Sequence, residues 1–252
     1  MTVDVVRGQC LAVPHGFLGR RGGVSRGEMW GLNVGPGSGD DAEALRENQR
    51  RAVAAVLPGA SLTLAHQVHS ADVLSVEQSW PLTNRPAGDA LVTDRPGIIL
   101  GVLTADCAPV LFADAEAGVV GAAHAGWRGA LGGITDATIE AMEKLGARRE
   151  RMSAAVGPCI ARKSYEVDEA FRERFLVQDE ATDCFFSRTP GERPHFDLEA
   201  YVAYRLRSAG LAQVETLDLD TYADAERYFS YRRATHLGEA AYGRQVSLIG
   251  LA

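Results

Sequence analysis

Two apolar stretches constrain this chain more than anything else in it. GIILGVLTADCAPVLFAD (97–114) holds two hydrophobic runs interrupted at Ala105-Asp106-Cys107, and GVVGAAHAGWRG (118–129) is a third run opening into a glycine-rich turn. Runs of this length without polar alternation read as strands covered on both faces. Strands of that kind need layers on either side, so the chain must build a layered domain in which these runs are interior. Pro109 cannot donate to a central ladder, so the backbone must bend or bulge beside Cys107.

The remaining pattern supplies the covering layers. Asp41 to Val56 places Ala42, Leu45, Ala52 and Val56 near one helical face and ends at Pro58-Gly59. Further helices are expected over Ile134–Leu145, closed by Gly146, from Ser164 to about Phe175, and over Leu198–Ser208 before Gly210. LTLAHQVHSADVLSV, GDALVTD, MSAAVGPCI, VETLDL and RQVSLIGLA read as strands. The first 40 residues, with RRGGVSRGEMWGLNVGPGSGDD, read as a long functional loop region carrying one short strand. Helices and strands mix without strict alternation, which predicts a layered α/β or α+β fold with mixed sheets, and no linker or repeat divides residues 1–252.

Composition narrows the functional classes. Of the 252 residues, 46% are hydrophobic and 23% charged, an ordinary globular balance. A net charge of −7 with no Lys/Arg-dense stripe argues against nucleic-acid binding, although a few local arginines can serve a small anion. No apolar stretch is long enough for a membrane span and the start MTVDVVRGQC is not a secretory signal, so the cytoplasm is the expected compartment. Cys10, Cys107, Cys159 and Cys184 are widely spaced and are expected as free thiols.

Six histidines exist. His15, His195 and His236 read as loop residues on the surface. His66 and His69 share a candidate strand three residues apart, so they should point to opposite faces. His124 ends a buried strand at a glycine-rich turn, and Cys107 interrupts another beside a carboxylate; both are placed as site residues are. Two imidazoles and one thiolate would make a His₂Cys set with an open fourth position, which is how a catalytic zinc site is built. A Cys–His nucleophile pair uses the same Cys107 and His124, so the residues alone leave both readings open. The spacing itself does not choose between them.

HQVHSADV, GDALVTD, TADCAPVLFAD, AAHAGWRG, VGPCI and YFSYRR occur here in that order. Together they resemble the laccase-domain family, described as polyphenol oxidases and regarded as purine nucleoside phosphorylases, over nearly the whole chain. The resemblance implies a four-layer α/β/β/α sandwich with mixed sheets. It implies a metal triad of His69, Cys107 and His124, with zinc as the ion and copper as the alternative, while His66 stands at a position variable in the family. It implies phosphorolysis of adenosine, inosine and methylthioadenosine, and adenosine deamination, in which Asp106 is a candidate acid/base group. Arg128, in the turn before a helix, is the first candidate for a phosphate contact, with Arg232 and Arg233 weaker ones. Asn33 and Asp89 sit in family motifs that line the substrate site or fix its loops.

Three positions depart from the family pattern. Ser70 replaces a glycine, Asn48-Gln49 replaces Asn-Arg with Arg50 next along, and Asp220-Thr221 replaces Cys-Thr. The last two bear on the substrate pocket. Rival functions are a Cys–His hydrolase or amidase acting on peptidoglycan precursors, a copper-dependent polyphenol oxidase, and a metal-binding interaction module. A multicopper enzyme would need many more histidines, several as H-x-H pairs, and six without such a pair are present.

Overall fold

The computed structural model describes residues 2–187 and 191–252. In chain order its strands and helices begin with β1 (Val5–Val6), β2 (His15–Leu18), α1 (Ala42–Val56), β3 (Ser61–Leu64), β4 (Val73–Ser75) and β5 (Ala90–Thr93). The central run is β6 (Ile98–Thr104), β7 (Ala108–Asp114), β8 (Val119–Ala125), α2 (Trp127–Leu131) and α3 (Ile134–Lys144). Then come β9 (Ser153–Val156), α4 (Glu169–Leu176), β10 (Phe186–Ser187), β11 (His195–Phe196) and α5 (Leu198–Ser208). The chain closes with β12 (Gln213–Thr216), α6 (Tyr231–Leu237) and β13 (Gln245–Gly250).

The two apolar stretches, with their three runs, do what their composition demands. Every residue of β6, β7 and β8 is buried. The break at Asp106-Cys107 is a crossing between sheets: β6 lies in a five-stranded sheet ordered β1-β2-β13-β6-β3, and β7 in a six-stranded sheet ordered β12-β9-β7-β8-β5-β4. Both sheets are mixed, with β3 parallel to β6 and β13 antiparallel to it.

Strand alternation assigns the faces. Leu100, Val102 and Ile249 meet Leu91, Leu111 and Val120 between the sheets. On the outer face of the five-stranded sheet, Leu64, Ile99 and Leu248 pack against Ala52, Val53 and Val56 of α1. On the outer face of the other, Val92, Val110, Phe112 and Ala154 pack against Ile139 of α3, Phe175 of α4 and Val202 of α5. The result is the four-layer α/β/β/α sandwich that the motifs implied.

Two element boundaries differ from expectation. The helix expected from Ser164 begins at Glu169, because Asp168, not Ser164, accepts the Phe171 N–H at 2.7 Å and supplies the N-cap. The strand expected through HQVH stops at Leu64, because the Gln67 side chain takes both backbone groups of Leu103, each at 2.8 Å. A side chain there replaces the ladder that would have continued β3.

Candidate active site

Both sheets release functional residues at the same end. β3 and β6 run out towards it, and β13 starts there opposite Thr104. From the second sheet, His124 is the penultimate residue of β8, while β7 begins just after Cys107 and β5 just after Asp89.

His69 sits in the loop after β3 with φ of 62°, a left-handed conformation unusual for a residue with a side chain. Asp89 holds it there. Its fully buried carboxylate accepts the backbone N–H groups of Val68 (3.0 Å), His69 (3.0 Å) and Ser70 (2.7 Å), and the Ser70 hydroxyl at 3.1 Å. Wrapping a loop around one carboxylate stabilises the left-handed turn and satisfies a charge that would be costly if buried alone. The opposite-face geometry expected for His66 and His69 on a strand therefore does not arise.

The same carboxylate orients the second histidine. His124 Nδ1 donates to Asp89 Oδ1 at 2.8 Å, leaving Nε2 to face the cluster. The His69 and His124 rings lie edge-on, with centroids 4.8 Å apart and planes at 79°. Cys107 Sγ is 4.0 Å from His69 Nε2.

The nitrogen and sulfur atoms of His69, Cys107 and His124 all lie within 4.8 Å of one another. Tetrahedral bonds of about 2.0–2.3 Å put ligand atoms roughly 3.3–3.8 Å apart, so a small inward movement completes the set. Gly126 leaves the space this needs: a Cβ there would come 2.9 Å from Cys107 Sγ and 3.0 Å from His69 Cδ2. Two imidazoles and one thiol, one ring already oriented by a buried carboxylate, fit a divalent ion with affinity for nitrogen and sulfur.

Electrostatics favour the ligating forms. Burial pushes the Cys107 thiol up, but the His124 and His69 rings outweigh it and bring the thiol below its ordinary range. Burial works against charge on His124, and Cys107 with Asp89 reverses that and raises the ring. Asp89 is also desolvated by burial, yet the His124 and backbone hydrogen bonds hold it at about 2. The fold thus favours a thiolate beside a protonated ring, and ion binding would release that proton.

The other candidates separate by what their polar atoms touch. Asp106 (φ of 88°) accepts the Thr221 hydroxyl at 2.8 Å and the Arg232 N–H at 2.7 Å. Burial raises its pKa; Oδ1 serves Thr221 and Oδ2 the first turn of α6. Both carboxylate oxygens of this acid/base candidate are thus already hydrogen-bonded beside Cys107. Arg233 is committed to the carbonyls of Thr221, Tyr222 and Tyr228, and Arg232 to that of Glu166. Arg128 is exposed on the five-residue α2, its guanidinium 5.0 Å from the Trp127 ring centre, with no ion pair among the described residues.

Asn33 and Asp89 were expected as substrate contacts or loop fixers, and their bonds are those of loop fixers. Asn33 is fully buried; its Nδ2 donates to Ser38 and Asp40, and its Oδ1 accepts the Gly35 and Arg244 N–H groups. Asn48 is likewise buried, tying Val24, Ser25, Gly31 and Asn33 to α1. Arg50 stays on the exposed side of that helix, paired with Glu47 at 2.8 Å, so it does not replace the family's arginine. Ser70 adds its hydroxyl to Asp89, and Asp220 accepts from Ala161, Ser164 and Tyr222.

The histidines read as surface residues divide. His15 is buried in β2, accepting the Gly8 N–H at 3.0 Å and lying 2.7 Å from the Val13 carbonyl. The Pro-Gly sequence around it misled, because the turn precedes the strand. His195 is half-buried in β11 against β10. His236 is exposed at the end of α6, 3.0 Å from the Tyr222 hydroxyl.

Sequence reasoning missed the orienting role of Asp89 and the space at Gly126. An aspartate at the mouth of a wholly apolar strand was a signal for the first, since a charge there needs partners. Nothing in the sequence marked the second.

Comparison with known proteins supplies the family context. A family model described as multi-copper polyphenol oxidoreductase laccase matches residues 14–252. A Deinococcus radiodurans protein named purine nucleoside phosphorylase is 40% identical over 253 residues, covering 99% of this chain and 93% of that protein. Escherichia coli purine nucleoside phosphorylase YfiH is 35% identical, covering 92% and 91%. The crystal structure of Neisseria meningitidis protein NMB0706 superposes with a TM-score of 0.88 at 32% identity, covering 100% of this chain and 99% of that one.

Proposed function

Given that this chain belongs to the multi-copper polyphenol oxidoreductase laccase family, we propose that it is a zinc-dependent purine nucleoside phosphorylase, cleaving adenosine, inosine or methylthioadenosine with inorganic phosphate. The observation that carries the proposal is the convergence of His69, Cys107 and His124, in a chain whose relatives bear that name. In the reaction a phosphate oxygen bonds to the anomeric carbon and the glycosidic carbon–nitrogen bond breaks. Its electron pair leaves on the purine, which gains a proton, and the products are free base and sugar 1-phosphate. A bound zinc ion would supply Lewis-acid stabilisation of developing negative charge. Copper is the alternative ion for the same donor set.

The residues of the chain have separable tasks. Asp89 holds His69 and His124 in register. The phosphate dianion is to be met by arginines that lack a carboxylate partner among the described residues; the exposed Arg128, three residues after the strand residue Ala125, is one of them. Adenosine deamination at the same centre is part of the proposal: water would add at purine C6 and the exocyclic amino group would leave as ammonia, giving inosine without phosphate. The cytoplasm remains the compartment proposed; no helix among the described residues is long and apolar enough to cross a membrane.

The test is incubation of metal-analysed protein with inosine and with adenosine, with and without phosphate. Release of hypoxanthine or adenine that requires phosphate is the expected result. A second reading draws on the Cys107 thiol lying against two imidazoles, one of them bonded to a carboxylate. That arrangement also suits a nucleophilic Cys–His amidase. Turnover of an amide by fully chelated protein would favour it.

A further inference from the structure

Two arginines at the triad's end of the sandwich carry charge that nothing in the described structure neutralises. Arg85 precedes Asp89 by four residues and Arg244 immediately precedes β13. Both are half-buried, and neither forms an ion pair among the described residues. Arg85 donates from Nη1 to the Ala65 carbonyl at 3.1 Å. Arg244 donates from Nη2 to the Tyr242 hydroxyl at 3.2 Å, its guanidinium 4.8 Å from that ring's centre. Their other N–H groups have no protein acceptor among the described residues. Burial, and then the nearby Arg244, push the Arg85 guanidinium down from its ordinary range. Like charges held together partly out of water favour an anion between them.

Arg20 and Arg233 form a comparable pair and show what a purely structural one looks like. Arg20 donates to the carbonyls of Trp30 and Ala225, and Arg233 to those of Thr221, Tyr222 and Tyr228. Their donors are spent on the backbone, whereas those of Arg85 and Arg244 are largely free.

The fold fixes where the free pair sits. Arg244 is clamped at its backbone: its N–H donates to Asn33 Oδ1 at 2.9 Å and its carbonyl accepts the Val34 N–H at 3.1 Å. Its aliphatic stem lies on Gly35, where a Cβ would come within 3.1 Å of Arg244 Cβ and 3.2 Å of Cδ. The next residue, Gln245, pairs with Thr104, three residues before Cys107. On the other side, the His66 N–H donates to the Pro86 carbonyl at 2.8 Å and the Gly88 N–H to the His66 carbonyl at 3.1 Å. Those bonds zip the Arg85 loop onto the loop that carries His69.

We propose that Arg85 and Arg244 form the seat of a tetrahedral oxyanion, inorganic phosphate, with Asn33 positioning Arg244 and the exposed Arg128 at most a rim contact. Phosphate as the occupant rests on the phosphorolytic reaction proposed above. The anion-binding chemistry itself does not: two guanidiniums with spare donors match phosphate oxygens in charge and in forked geometry.

The test is calorimetric titration of inorganic phosphate into metal-loaded protein at fixed ionic strength, together with the separate KM values for phosphate and nucleoside. R85Q/R244Q should bind phosphate at least about tenfold more weakly, the loss of two charge-assisted bonds. Its KM for phosphate should rise by a similar factor with the nucleoside KM little changed. R85K/R244K, which keeps both charges, should recover most of the affinity. Should the double glutamine variant not fold, single R85Q is read in the same way.

Unchanged phosphate affinity in a folded glutamine variant overturns the proposal, as does a loss produced only by R128Q, or wild-type protein that binds no phosphate. Phosphate held by the pair without nucleoside cleavage would leave the seat standing and remove the phosphorylase function. Phosphate-dependent cleavage with an unaltered phosphate KM in R85Q/R244Q would do the reverse.

Discussion

Nδ1 of His124 stands 2.8 Å from Oδ1 of Asp89, and both side chains are shut off from solvent. The same carboxylate receives three consecutive backbone N–H groups around His69. One residue therefore sets the ring of one candidate ligand and the backbone of another. In D89N, the new NH₂ group must face hydrogen-bond donors on whichever side it takes. Zinc affinity should fall by about 10–100-fold, the usual effect of losing a residue that orients ligands. The chain should also lose about 2–4 kcal/mol of stability. Competition with a chromophoric chelator and a urea melt measure the two effects.

Gly126 offers a cleaner perturbation. Its backbone angles, φ −66° and ψ 161°, suit alanine, so G126A should not strain the chain itself. The added methyl would lie 2.9 Å from Cys107 Sγ and 3.0 Å from His69 Cδ2. Metal affinity should drop at least about tenfold through the altered donor geometry, while the metal-free melting temperature changes little. Wild-type affinity in G126A would show that the three groups do not close on one ion.

Cys107 separates the ligand and nucleophile readings. C107A should lose bound metal and turnover together, because two imidazoles alone make a weak site. Metal analysis beside the nucleoside assay checks this. Retained metal with abolished turnover would assign the thiol to covalent chemistry instead.

A pH effect on stability is expected away from the triad. Burial, reinforced by Asp218 and Asp197, raises the Glu199 carboxyl from 4.5 to about 7. Between those values the folded chain holds a proton that the unfolded chain has released. This contribution to stability is thus fullest below pH 4.5 and is lost as pH rises towards 7. E199Q removes the burden of the buried charge. It should gain about 1–2 kcal/mol at pH 8, allowing for partial solvent screening, and nothing relative to wild type at pH 4. Urea midpoints at the two pH values test the sign.

The layered fold was legible because β6, β7 and β8 are apolar on both faces, and only a sandwich covers such strands. Cys107 and His124 were legible as strand-end interruptions of those runs. His69 was named through family motifs; its local structure was misread, because Gln67 and Asp89 act over long sequence separations to end β3 and turn the loop. The same cause hid Asp106, whose partners Thr221 and Arg232 lie more than a hundred residues away. Asn33 and Asn48 stood in a glycine-rich region that read as one loop, and only the folded chain shows them pinning it to α1. His15 was hidden by its Pro-Gly neighbours, although it lies in a buried strand.

Zinc-edge X-ray absorption on purified protein with its native metal content goes most directly to the centre proposed here. One ion per chain, with one sulfur at about 2.3 Å, two imidazole nitrogens at about 2.0 Å and a lighter fourth scatterer, is the predicted result. A shell without sulfur, or metal that stays bound in the same shell after His69, Cys107 and His124 are replaced together, would contradict it.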